Sequence, residues 1–128
     1  RVLFRSENCS LLNGLTISPG EHYVHTNKYL RLKVEEVSDS ELESSNCRHA
    51  TFSELPSPKC TDDVIHMMGD VSKPVYNIFR EGNGKDLIKT VAVGIFNCKA
   101  RIWRLYIENP RTNSPLLVLP INFKYPPQ

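Results

Sequence analysis

The chain has 128 residues, 40% hydrophobic and 23% charged, a balance that matches one ordinary globular domain and excludes a disordered tail, a collagen-like repeat or a coiled coil. No apolar run nears the roughly 18 residues a membrane helix needs, so no membrane insertion is expected. The net charge of +2 is too small for a general attraction to nucleic acid, and no nucleic-acid partner is expected, although residues 35–63 carry −6 and residues 99–128 carry +4.

In chain order, short strands are expected near 2–5, 15–17 and 22–26, with Asn13-Gly14 and Ser18-Pro19-Gly20 as turns. Over 29–37, Leu30, Leu32 and Val34 alternate with Tyr29, Arg31, Lys33 and Glu35, the period of a half-buried strand. The five carboxylates of 35–43 read as a solvated acidic loop, because they lack the spacing and central glycine of a calcium loop. A further short strand is expected at 49–55. One helical turn follows, with Thr61 as its cap, Asp62 and Asp63 at the positive end of its dipole and Gly69 as its stop.

Residues 74–80 and 86–97 read as a hairpin about Glu81-Gly82-Asn83-Gly84-Lys85. Within it, 91–96 is apolar on both parities, which fits a central strand covered on both faces better than an exposed one. Trp103, Leu105 and Ile107 open a second hairpin, the loop 109–115 turns it, and Leu117 to Tyr125 returns. Pro120 places that last strand at a sheet edge or at a bulge. These signals give an all-β fold class: an antiparallel two-sheet β-sandwich, immunoglobulin-like or related, with at most one short helical turn, and a small barrel as the alternative.

Four cysteines spread through a small chain suggest two disulfides and an oxidising compartment, hence a secreted or extracellular protein. The preferred pairing is Cys9 to Cys98 and Cys47 to Cys60, which closes a local loop and ties the N-terminal segment to a core strand. The chain is expected to be a single disulfide-braced β domain over 1–128, with 126–128 as the start of a linker, since Tyr125-Pro126-Pro127 favours an extended exit. Asn8-Cys9-Ser10 is a glycosylation sequon at Asn8.

Cys47, His49, Cys60 and His66 lack the spacing of a zinc knuckle, so no metal and no cofactor is expected. His22 and His25, three apart on a strand, point to opposite faces. Lacking a G-x-S-x-G elbow, a phosphate-binding glycine loop or H-E-x-x-H, the chain carries no catalytic residues on this reading and is not an enzyme. The function expected is a recognition module that binds a protein partner through loops or an edge strand, with Arg101, Arg104, Tyr106, Arg111, Phe123 and Tyr125 as contacts. A carrier of a lipid or other small apolar ligand between two sheets is the alternative, and a zinc-dependent intracellular binding module is the third.

Overall fold

A computed structural model describes residues 2–8, 11–28 and 39–122. The chain divides into two compact units, Arg1–Lys59 and Cys60–Gln128.

The first unit opens with an antiparallel hairpin of β1 (Val2–Asn8) and β2 (Leu11–Thr16), irregular between Ser6 and Asn8. Asn13 and Gly14 do not form the expected turn: they pair inside β2 with Arg5 and Phe4. The Ser18-Pro19-Gly20 turn does form, closed by the Glu21 amide donating to the Ser18 carbonyl at 3.1 Å, with Gly20 at φ +86°. No strand forms at 22–26. Instead Thr26 is buried and donates through its hydroxyl to the Ser45 carbonyl at 3.1 Å.

Ser45 belongs to α1 (Asp39–Glu54), a 16-residue helix where an acidic loop and a strand at 49–55 were expected. Over 42–54 its buried residues are Ser44, Ser45 and Thr51, hydroxyl side chains rather than leucines, so that stretch shows no apolar period of 3.6. Thr51 and Ser53 turn their hydroxyls back on the carbonyls of Cys47 and His49 at 3.0 and 3.1 Å, satisfying them locally. The strand expected over 29–37 lies outside the described residues.

The second unit begins with α2 (Thr61–Met68). Its N-cap is Cys60, one residue before the expected Thr61, and the Asp63 carboxylate accepts the Cys60 amide at 3.1 Å. It runs two turns rather than one, and ends where expected: the Gly69 amide closes on the Ile65 carbonyl at 3.1 Å.

No strand forms at 74–80. The Asn77 side chain accepts the Lys73 amide at 2.9 Å and folds that stretch into a loop, with Tyr76 at φ +60°. A reversal about 81–85 is nonetheless present. Glu81 bridges to Lys89, the Thr90 amide donates to the Arg80 carbonyl at 2.8 Å, and Gly82 and Gly84 take φ of +71° and +60°.

The sheet that follows is antiparallel in the order β3 (Val93–Asn97), β4 (Ile102–Tyr106), β5 (Leu117–Pro120), so Pro120 lies on an edge strand. Val93, Ile95 and Tyr106 share one face by alternation and form the core with Phe79, covered by Val64, Ile65 and Met68 of α2. Full burial of side chains such as Val93 and Ile95 contributes roughly 2 kcal/mol each.

The all-β sandwich and the small barrel are therefore corrected to an α/β arrangement, with two helices, a hairpin and a three-stranded sheet among the described residues. Period-two alternation identified β4 and β5; it could not reveal a helix whose hidden side chains are hydroxyls. The sulfur bracing is corrected as well. Cys47, Cys60 and Cys98 carry free thiols, so neither expected bridge forms, while Cys9 lies outside the described residues. With these thiols free, the cysteine count no longer argues for an oxidising compartment.

Candidate functional site

The best-built polar cluster of the second unit joins the end of α2 to the loop between β4 and β5. Asp70, 2% exposed, follows the helix stop, and its Oδ1 accepts the Ser72 hydroxyl at 2.7 Å and the Ser72 amide at 3.1 Å. Its Oδ2 accepts the Arg111 guanidinium at 3.0 Å. The same guanidinium donates to the His66 carbonyl at 2.9 and 3.3 Å, satisfying an end of α2 that has no intrahelical partner. Asn109 completes the clamp, donating to the Gly69 carbonyl at 3.0 Å and accepting the Arg111 amide at 2.9 Å.

Burial alone would raise the Asp70 pKa, but the Ser72 hydroxyl and amide and the Arg111 guanidinium outweigh it and hold it below its ordinary 3.8. A carboxylate depressed in the folded state adds stability that is complete above the ordinary carboxylate range and is lost as pH falls through the folded value. Asp70→Asn is accordingly expected to flatten the acid limb of the stability curve below about pH 4. Denaturant titrations at pH 3 and pH 7 check this, and an unchanged acid limb would contradict it.

A second cluster holds the reversal at 81–90. Arg80 grips Asp86 through both guanidinium arms, one at 2.7 Å and the other, NH2 to Oδ1, closer still, with the two side chains only 12% and 11% exposed. Asp86 Oδ1 also accepts the Ile88 amide at 3.2 Å, and the Thr90 hydroxyl accepts the Arg80 amide at 2.8 Å. Planar bidentate pairing of this kind fixes geometry as well as charge.

The residues expected as partner contacts scatter. Arg101 sits exposed in the β3–β4 turn at φ +55°, its carbonyl accepting the Ile121 amide at 2.9 Å. Arg104 is half-buried on β4 between Ile95 and Val118. Tyr106 is 4% exposed in the core, and Arg111 is engaged by Asp70. Phe123 and Tyr125 lie outside the described residues, and Asn8 closes β1. Asp70 and Asn109 were not singled out in the sequence, and Gly69 was read only as a helix stop.

Three free thiols and four histidines are the nucleophiles and bases of ordinary acyl chemistry. Cys47 and His49 stand two apart on α1, about 200° around its axis, so they cannot form a pair. The His66 ring sets Nδ1 3.0 Å from the Asp62 carbonyl; with Nδ1 donating, Nε2 is the open nitrogen. Among the described residues no group of three or more His, Cys, Asp or Glu is placed to hold a metal ion. No helix among them is long and apolar enough to cross a membrane.

Comparison with known proteins supplies what these clusters do not. The family described as acyl-coenzyme A:6-aminopenicillanic acid acyl-transferase matches residues 6–112. A curated relative, the beta-alanyl-dopamine/carcinine hydrolase of Drosophila melanogaster, is 40% identical over 119 residues. The match covers 92% of this chain and 31% of that protein, so the chain spans about a third of its relative's length. No solved structure matches.

The family has an Ntn-hydrolase-like α/β fold, in keeping with the helices and sheet above. Both matches are to enzymes, which overturns the expectation of a non-enzymatic recognition module and, with it, the apolar-ligand carrier and the zinc-dependent module. No contiguous catalytic motif marks this chemistry in the sequence, while the likeness spans residues 6–112.

Proposed function

The chain belongs to the acyl-coenzyme A:6-aminopenicillanic acid acyl-transferase family, and on that footing we propose that it is part of an enzyme that cleaves the amide between a small acyl group and an amine. The observation that carries this reading is the 40% identity with a hydrolase of β-alanyl-dopamine and carcinine, sustained over 92% of the chain. Such a reaction requires addition to the amide carbonyl, donors for the oxyanion that forms, and a proton for the departing amine. The described residues contribute a rigid scaffold, α2 against the β3–β5 sheet, clamped by Asp70 with Arg111 and by Arg80 with Asp86.

The reading is tested by exchanging the matched stretch of the Drosophila hydrolase for this chain and offering the chimera a panel of amides of one amine with acyl groups of increasing length. Release of the amine is expected, fastest for the short acyl groups. A folded chimera that cleaves no member of the panel, while the unmodified hydrolase does, would overturn the proposal.

A further inference from the structure

Asn13 and Asn83 both precede glycine, and the fold treats the two dipeptides in opposite ways. Asn13-Gly14 lies inside β2, its backbone held extended by pairing with Arg5 and Phe4 of β1. Asn83-Gly84 lies at the tip of the reversal at 81–85, where every residue is exposed. The Asn83 carbonyl accepts the Asp86 amide at 3.2 Å and closes a four-residue turn that the chain enters through Gly84 at φ +60°. The Asn83 carboxamide donates to the Glu81 carboxylate at 3.4 Å, a long contact at an exposed site that holds the side chain only weakly. Gly84 has no Cβ to shield its amide nitrogen from the carboxamide carbon of the residue before it.

We propose that Asn83 is a site of spontaneous modification, deamidation through a cyclic imide, and that β2 protects Asn13 from the same reaction. The Gly84 amide nitrogen attacks Cγ of Asn83. The N–Cγ bond forms, the Cγ–Nδ2 bond breaks, and the proton of the attacking nitrogen leaves with the amino group as ammonia. Water then opens the ring. Addition at Cγ gives aspartate, whereas addition at the backbone carbonyl gives isoaspartate, in which the main chain runs on through Cγ and is one methylene longer. Ring closure needs a rotation of the backbone at the asparagine, which an exposed tip permits and a paired strand allows only after local opening. The products disturb the turn. A carboxylate at position 83 replaces the donor to Glu81 and faces its like charge. In isoaspartate the carbonyl that accepted the Asp86 amide has become a carboxylate off the main chain, so the turn that presents Asp86 to Arg80 loses its closing bond. The reaction draws only on water and is independent of the amide-cleaving activity proposed above.

Peptide mapping by mass spectrometry tests it on the 128-residue chain, aged in mildly alkaline buffer with and without denaturing urea. In urea the two asparagines are expected to react at similar rates. In the folded chain Asn83 is expected to keep that rate within about threefold while Asn13 slows by about tenfold or more, the protection of a paired strand. Equal rates at the two sites without urea overturn the proposal, and so does an Asn83 slowed as much as Asn13. Asn83→Gln, whose carboxamide is one methylene too long for the five-membered ring, is expected to stay unreacted at position 83. The aged wild type is expected to unfold at lower urea than fresh protein, and aged Asn83→Gln to match its own fresh sample. A midpoint that falls equally in both, or in neither, overturns the link between the modification and the Arg80–Asp86 turn.

Discussion

Arg80→Met is expected to destabilise the second unit by about 3 kcal/mol, because it strands the Asp86 carboxylate at a site where water cannot replace two guanidinium contacts. Both side chains are only about a tenth exposed, so the pair behaves as a buried one rather than as a screened surface bridge. The intact pair is not thereby strongly stabilising, since each charge was desolvated on folding. The double variant Arg80→Met with Asp86→Leu removes the stranded charge and is expected to recover more than half of the loss. Urea titration of the wild type, the two single variants and the double variant checks this. A double variant as unstable as Arg80→Met, or a single variant that costs under 0.5 kcal/mol on the surface-pair scale, would contradict the burial argument.

Gly69→Ala carries an effect of comparable size for a different reason. Glycine at a helix end commonly supplies a positive φ, but here φ is −96°, which alanine adopts freely. Space decides instead. A Cβ at this position would drive into the Asn109 carboxamide oxygen and come within 2.8 Å of both the Arg111 amide nitrogen and its Cβ. The loop must retreat, which breaks the Asn109 bond to the Gly69 carbonyl and loosens Arg111 on Asp70. Overpacking plus the lost hydrogen bonds costs about 3 kcal/mol. Thermal and urea unfolding measure it, and Gly82→Ala is the control, because there positive φ rather than crowding is the main penalty. Gly69→Ala at wild-type stability would mean that the clamp does not close.

What the sequence made legible follows from which forces leave a local trace. Helix α2 was readable because Asp62, Asp63 and Gly69 mark its ends, and the reversal near Gly82 and Gly84 because positive φ selects glycine. The β4–β5 pair and the edge position of Pro120 followed from alternation and from the missing proline donor. Helix α1 left no trace, since Ser44, Ser45 and Thr51 are the residues it hides and they look solvated in sequence. The clamp was invisible for another reason: Asp70 and Arg111 are 41 residues apart, and nothing local in the loop at 109–115 marks Arg111 as a partner of the helix end. Cysteine counting misled because an even number permits disulfides without requiring them, and three of the four are free thiols.

The enzymatic reading stands on likeness to proteins that move acyl groups, so the fate of the acyl carbon is its sharpest test. The chimera is incubated with β-alanyl-dopamine in ¹⁸O-enriched water and the released acid is weighed by mass spectrometry. Acyl transfer to water puts one solvent oxygen into each β-alanine carboxylate as dopamine is freed. Dopamine retained on its acyl group, or an acid formed without solvent oxygen, would contradict it.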